Sequence, residues 1–502
     1  MSAHVPWGPG GRPRRCLVIG GGASGLAAAL ALCDAAGGLS ESGRPIEVEL
    51  LEASQRLGGA IETVRLGEYL VERGPDMFIT DKPAATDLCL RLGLESELIG
   101  TDPQFGGALV LGRGRPLRVP EGFGLLGTPR IRAVLGSPIF SWRGKLRMAM
   151  EPFVGRREAT EDESVAAFVR RRMGHEALER LVQPLVGGIY TGDPERLSLE
   201  ATLPRFVEME REYGSLWRGL RASGGEGHES TRGARYGLFA SLAGGLGELV
   251  AAAARLLESR CRIRLNAPVK SIDRIDRIDR IEQIEQIEQI EQIESGGEFA
   301  VELESGESIR ADAVVLAVPC HVAAGLSAGL SSGLAARLGE IESASSVVIS
   351  SGYRLDQVDH PLSAYGLVVP RIEDRGVLAV SFASRKLAGR AAEGRVLLRT
   401  FLGGALQPEL LELDDGELAA LVGEELESLL GVHGEPEMLD VVRHREMMPQ
   451  YTLGHLDRIA EIERLLSEIP GLGLAGNYCR GVGLPDCIAS GMAAAQRVLE
   501  GG

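Results

Sequence analysis

The sequence predicts an α/β protein in which one chain builds a dinucleotide-binding sheet, a separate β-rich domain and a mostly helical insert. Three observations carry this reading. An apolar run, a glycine-only turn and an Ala/Leu helix follow one another over residues 16–30; amphipathic helical patterns alternate with short loops from 130 to about 235; and several β-rich runs fall within 346–445. At 502 residues the chain exceeds what one hydrophobic core serves, so two or three domains are expected.

The first unit reads Cys16-Leu17-Val18-Ile19-Gly20-Gly21-Gly22-Ala23-Ser24-Gly25 and continues into the helix. Gly20 permits a tight turn, Gly22 lets backbone approach a pyrophosphate, and Gly25 lets the helix lie close on the strand. The helix start adds unpaired N–H groups and a partial positive charge. A second strand over 46–51 ends on Glu52, whose carboxylate suits ribose hydroxyls. The polar turn 37–45 makes that connection longer than usual. By itself the turn suits nicotinamide and flavin dinucleotides equally.

Residues 53–60 form a second glycine-rich turn, in which Arg56 beside Gly58 and Gly59 suits either a pyrophosphate contact or an ordinary left-handed turn. Residues 69–76 then run a strand into Gly74-Pro75, a rigid corner against which a flat ring can lie. In the helical stretch Ser164 is an N-cap candidate, and 177–186 reads as one helix continuing across Pro184. Between Pro129 and Val154, apolar residues including Leu135, Trp142, Leu146 and Met150 interleave with Arg130, Arg132, Arg143, Lys145 and Arg147. Such a set fits an anionic membrane surface or a helix pair packed on the body.

Residues 272–294 repeat Ile-Asp-Arg three times and Ile-Glu-Gln four times. A period of three gives neither a helix nor a strand a lasting buried side, so this reads as an exposed insertion at a hairpin tip, between strands at 262–269 and 298–303. Residues 311–319 resume a buried strand of the nucleotide sheet, and 346–445 adds the β-rich runs and one helix over 416–430.

The formal charge of −16 excludes a general nucleic-acid binder, which needs a basic footprint. Seven scattered cysteines without a C-x-x-C read as free thiols in a reducing compartment, and eight histidines show no metal-ligand spacing. The first fifteen residues carry Gly, Pro and three arginines but no apolar stretch, hence no signal peptide, and no run of eighteen apolar residues is available to span a membrane. A cytoplasmic protein is expected.

The strand with GGGASG, the strand-end Glu52, Arg56-Leu57-Gly58-Gly59 and Glu72-Arg73-Gly74-Pro75-Asp76 together resemble the flavin-containing amine oxidase superfamily. Further stretches narrow this: 151–154, 162–169, the run Gly188-Ile189-Tyr190-Thr191-Gly192-Asp193-Pro194 within 183–199, Pro449-Gln450-Tyr451-Thr452-Leu453-Gly454-His455, Leu474-Ala475-Gly476-Asn477-Tyr478, and Gly483-Leu484-Pro485-Asp486-Cys487. These resemble the protoporphyrinogen and coproporphyrinogen oxidases, over essentially the whole chain from Arg15. The resemblance implies an amine oxidase-like fold: a Rossmann-like FAD-binding domain, a β-sheet substrate domain and a helical insert. Its parts are a flexible terminus (1–14), three FAD-binding segments (15–105, 235–330 and 449–502), the insert (106–234) and the substrate domain (331–448).

The same resemblance implies FAD contacts at Gly20, Gly21, Gly22, Ala23, Ser24 and Gly25 for pyrophosphate, and at Glu52 and Ala53 for ribose. Arg56, Gly58, Gly59 and Ala60 would run along the cofactor, with Gly74, Pro75, Asp76 and Met77 at the ring, Val269 at adenine, and Asn477, Val482, Gly483 and Leu484 at the entry to the last helix. Pro485 sits where that helix would start. A porphyrinogen, protoporphyrinogen IX or coproporphyrinogen III, would lie on a wall of Gly366, Val368, Ser381 and Phe401, with oxygen as acceptor in a late step of haem synthesis. Where some members carry a propionate-binding cation this chain has Gly106-Gly107-Ala108, which leaves Arg113, Arg115 and Arg118 as candidates. No catalytic acid or base is assigned, His444 and His455 being as readily structural. An amine or carotenoid oxidoreductase, or a redox-inactive binding protein of the same fold, is the rival reading. Peripheral contact with the inner face of the membrane, and a homodimer, complete the expectations.

Overall fold

The computed structural model describes residues 13–36, 45–121, 123, 126–127, 130–157, 161–222, 237–275 and 299–500. The expectations placed on the terminus before 13, the polar turn 37–44, Pro129 and the repeats beyond 275 lie outside the described residues.

Five parallel strands form the nucleotide sheet, in the order Arg262–Arg264, Ile46–Leu51, Arg14–Ile19, Ala313–Leu316, Leu472–Leu474. Leu17 and Val18 are fully buried because both faces of the central strand are covered, the arrangement that a parallel sheet demands. On one face lie the helices Ala23–Ala36 and Leu484–Glu500; on the other lie a three-stranded antiparallel sheet and the helix His455–Ser467. The two helices on the first face touch through glycine. A Cβ at Gly491 would stand 2.0 Å from the Ser24 carbonyl oxygen. Arg14, buried at the sheet's start, donates to the carbonyls of Val498 (2.5 Å) and Leu499 (3.2 Å), which ties the first strand to the last helix.

The strand expected over 262–269 is two strands. Asn266, at φ +52°, and Pro268 break it, so Arg262–Arg264 joins the nucleotide sheet while Val269–Arg274 joins the antiparallel one. The first Ile-Asp-Arg unit therefore belongs to a strand, with Ile272 buried opposite Val301. One inward isoleucine needs no longer period.

The second sheet has seven strands, in the order Met438–Pro449, Ser343–Arg354, Arg395–Gly403, Ala379–Ser381, Gly366–Val368, Leu109–Gly112, Arg115–Arg118. Its last two strands come from the segment assigned to the insert, where Arg113 and Gly114 at positive φ turn one into the other. The helix Asp415–Leu430 covers one face. It opens on a reciprocal cap between Asp414 and Glu417 and ends on left-handed Gly431.

The helical insert has its own core around Phe168, Leu181 and Val182. Ser164 caps the helix Val165–Arg172, accepting from the Ala167 N–H at 3.1 Å. The helix expected to run unbroken through Pro184 instead passes through a wider π turn at Leu178–Val182 before Gln183–Tyr190. A wider turn is how a helix makes room for a proline ring and its missing donor. Glu151 and Arg172 are buried together. Arg172 also reaches Glu210 (3.1 Å) and the Gly214 carbonyl (2.9 Å), while Glu151 accepts from Ser215 Oγ (2.6 Å) and the Leu216 N–H (2.8 Å) at the start of the helix Leu216–Ala222. Removing one partner of such a pair leaves a buried charge unpaired, so Glu151→Ala is expected to cost about 3–5 kcal/mol, measured as a lower midpoint in urea denaturation.

Candidate active site

The two glycine turns meet. Gly20, at φ +105°, donates to the Leu51 carbonyl, and a Cβ at Gly25 would lie 1.7 Å from the Gly20 oxygen. Gly58 donates to the Gly21 carbonyl at 2.8 Å, and a Cβ at Gly59 would lie 3.1 Å from the Gly22 Cα. Gly22 differs from these: a Cβ there would meet nothing nearer than the Gly59 Cα at 3.9 Å. This open cradle, at the start of the helix carrying Ala23 and Ser24, is the shape a pyrophosphate needs.

Glu52 sits at the rim, accepting from the N–H groups of Gly21 (2.7 Å) and Ser54 (2.8 Å). Exposed Ala53 follows it, and Asn266 and Ala267, leading to Val269, donate to Ser54 and Glu52 carbonyls at 2.9 Å. Arg56 donates to the carbonyls of Leu57, Gly59 and Ile61 at 2.8–3.2 Å, so its guanidinium holds its own turn. A cavity of about 260 Å³ opens beside it, lined by Arg56, Gly59, Ala60, Arg73, Val442, His444 and Met447. It lies between the nucleotide domain and the seven-stranded sheet.

Gly74 must be glycine, because a Cβ would stand 1.8 Å from the Ala60 carbonyl oxygen. Behind this turn lies a charged cluster. Asp76 pairs with Lys386 at 2.5 Å and Arg399 at 3.1 Å, Arg399 donates to the Gly74 carbonyl at 2.5 Å, and Arg390 approaches Glu72 at 3.8 Å. Burial alone would raise the Asp76 pKa, but the neighbouring Lys386 and Arg399 hold it at about 2. Burial pushes the Lys386 pKa down and that of Glu72 up. Sequence reasoning missed Lys386, Arg390 and Arg399; their one signal is a set of cations set among apolar runs in an acidic chain. Met77 is half-buried beyond the turn.

The expected wall residues share one face of the seven-stranded sheet. Val442, Val348, Phe401, Ala379, Val368 and Val110 are consecutive cross-strand partners, an apolar row. The adjacent row runs Asp440, Ser350, Arg399, Ser381, Gly366, and Arg399 carries it to the Gly74 turn. A side chain at Gly366 would strike the Val380 carbonyl oxygen at 2.6 Å. Among the propionate candidates, Arg118 donates to the carbonyls of Gly106 and Ser363, so it fixes loops.

At the carboxyl end, Asn477 Nδ2 donates to the Met447 carbonyl at 2.9 Å, beside the cavity. Val482 and Gly483 lead to Leu484 and Pro485, the first two residues of the last helix, as expected. His444 Nε2 donates to the Arg73 carbonyl at 2.8 Å, and His455 is fully buried.

The family profile described as flavin containing amine oxidoreductase matches residues 23–499. The chain belongs to this family. Its cofactor is FAD, and the open cradle at Gly22 fits the diphosphate of that group. Among relatives of this flavoprotein, coproporphyrinogen III oxidase of Bacillus subtilis is 33% identical, covering 97% of this chain and 98% of its own. The enzyme of the same name from Propionibacterium freudenreichii is 32% identical over 98% and 92%. Protoporphyrinogen oxidase 1 of Spinacia oleracea is 28% identical over 97% and 84%. A solved structure from Exiguobacterium sp. 255-15 superposes with TM-score 0.83 at 28% identity, covering 98% of this chain and 99% of that one.

Burial depresses the His455 pKa from 6.5 to about 4, against the opposing pull of the Cys479 carbonyl. The unfolded chain therefore binds more protons at this site between those values, so its contribution is intact above pH 6.5 and is lost as pH falls towards 4. Acidification over this window is expected to remove up to about 3 kcal/mol. His455→Phe should flatten that part of the stability profile measured by urea titration at each pH.

Proposed function

We propose that this flavoprotein oxidises a porphyrinogen to the porphyrin in haem synthesis, with coproporphyrinogen III as its preferred substrate and oxygen as acceptor. The observation that carries the reading is full-length similarity to two coproporphyrinogen III oxidases, at 33% and 32% identity. The flavin supplies hydride acceptance from carbon, used in three successive two-electron steps.

The chain's own residues bind and orient. Gly20–Gly25 with Ala23 and Ser24 receive the diphosphate, Glu52 and Ala53 the ribose, and the Val269 backbone the adenine. Arg56, Gly58, Gly59 and Ala60 flank the cofactor, Gly74–Met77 meet its ring, and Asn477 with Val482, Gly483 and Leu484 close it from the carboxyl end. The macrocycle rests on Val368 and Phe401 of the apolar row and on Gly366 and Ser381 of the row beside it, a face with a glycine gap that suits a large, mostly apolar ring. Anaerobic mixing of the purified holoprotein with each porphyrinogen, followed by admission of oxygen, should give porphyrin fluorescence fastest with coproporphyrinogen III. Absence of fluorescence with both substrates sinks the assignment.

The protein is further read as a cytoplasmic one that rests on the inner face of an anionic membrane. Among the described residues no helix is long and apolar enough to cross a bilayer. Trp142, Leu146, Met150 and Phe153 are 78%, 64%, 51% and 82% exposed in consecutive turns, and exposed Arg132, Arg143 and Arg156 lie in the same stretch. An apolar stripe with cations around it is complementary to an anionic lipid surface. The protein should sediment with phosphatidylglycerol vesicles and lose this with Trp142→Ser/Phe153→Ser. A dimer in light scattering that the same double substitution dissolves, without vesicle binding, would instead give the stripe to a second copy of the chain.

A further inference from the structure

The Pro449–His455 stretch supplies none of the residues assigned to flavin or substrate, yet it is bonded to both neighbours of the site. Tyr451 is 1% exposed. Its hydroxyl donates to the Asn477 carbonyl at 2.5 Å and accepts from the Gly481 N–H at 2.7 Å, spanning the loop that precedes the last helix. His455 stacks on the Tyr451 ring, with centroids 3.9 Å apart and planes 13° from parallel. Its Nε2 donates to the Cys479 carbonyl of the same loop at 3.3 Å, which fixes the neutral tautomer. Gln450 faces the other way, donating from Nε2 to the Tyr190 carbonyl at 3.0 Å, where the insert helix Gln183–Tyr190 ends. The Ser198 N–H closes the arrangement on the Tyr451 carbonyl at 2.8 Å.

These bonds converge on one object. The loop 477–483 has Gly481 at φ +139°, a conformation with no helix or strand ladder to hold it, and three of its backbone groups are satisfied by Tyr451 and His455. We propose that Tyr451 is a positioning residue, which with His455 stacked behind it sets the shape of the Asn477–Gly483 loop against the flavin and links that shape to the helical insert. The inference rests on the reading of Asn477 and Val482–Leu484 as flavin contacts. It assigns Tyr451 no contact with the cofactor or the substrate.

Tyr451→Phe keeps the ring and its stack but removes the hydroxyl, leaving the Gly481 N–H without its acceptor. Loss of a buried hydrogen bond of this kind corresponds to roughly a tenfold change in an equilibrium constant. The holoprotein carrying Tyr451→Phe is therefore expected to release flavin on dilution with a dissociation constant raised at least about tenfold, and to show an altered visible circular dichroism band of the bound flavin. Tyr190→Phe is the control, because it removes another buried hydroxyl bond, to the Thr202 carbonyl at 2.8 Å, from a ring 6.4 Å away that makes no bond to the loop. That variant should lower the melting temperature and leave the flavin band unchanged. Equal effects of both variants on the flavin band, or no effect of Tyr451→Phe on band or affinity, overturn the inference while leaving the flavin site in place. A parent protein that takes up no flavin overturns both together.

Discussion

The distance between backbones at Gly20, Gly25 and Gly59 is the constraint on which the rest of the structure depends. A methyl group at Gly25 would penetrate the Gly20 carbonyl, and one at Gly59 would press on the Gly22 Cα. With no side chains present, the first strand, the first helix and the second glycine turn close to the separation of bare backbone. Only then does Glu52 reach the Gly21 N–H, and only then does Gly22 remain the one position of the turn with open space before it. The pattern repeats outward: Gly491 brings the last helix onto the first, and Gly74 brings its own turn onto Ala60. Three of these close approaches gather the segments of residues 20–74 around one cradle, and the fourth brings in the last helix from the other end of the sequence.

How much of this was legible in the sequence follows from the range of each interaction. The glycine turn, the strand-end Glu52, the Ser164 cap and the start of the last helix at Leu484-Pro485 depend on spacing within a few residues, which a string displays. The wall residues Gly366, Val368, Ser381 and Phe401 fall on one face because period-two alternation sets them there once register is fixed. The break at Asn266 was less visible, since the alternation Ile263, Leu265, Ala267, Val269 crosses it and only the Asn-Ala-Pro triplet marks the change of sheet. Arg399 was not visible at all: its partners Gly74 and Asp76 lie more than 300 residues away, and nothing local separates it from a solvated arginine. Tyr451 is a similar case, because its bonds go to backbone groups that carry no residue identity.

The charge distribution explains why such cations are worth burying in a chain of net charge −16. Arg399 belongs to the seven-stranded sheet and Lys386 to the short helix Ala383–Lys386 between two of its strands, whereas Gly74 and Asp76 follow the strand Tyr69–Glu72 outside that sheet, so each bond between them crosses the boundary between turn and sheet. An apolar contact at that boundary would tolerate sliding by a fraction of a side chain. A carboxylate held between an ammonium and a guanidinium does not, because any displacement leaves a buried charge uncompensated, at a cost of several kcal/mol. Arg73 with Asp440 (2.7 Å) and His444 with the Arg73 carbonyl extend the same directional bonding along the boundary. The Gly74 turn and the seven-stranded sheet are therefore fixed in register by hydrogen-bonded charge, while the apolar row from Val442 to Val368 lies beside the charged one and ends on Val110, buried in the core of the helical insert. Placement comes from the ions and apolar surface from the row, and neither group of residues needs to do the other's task.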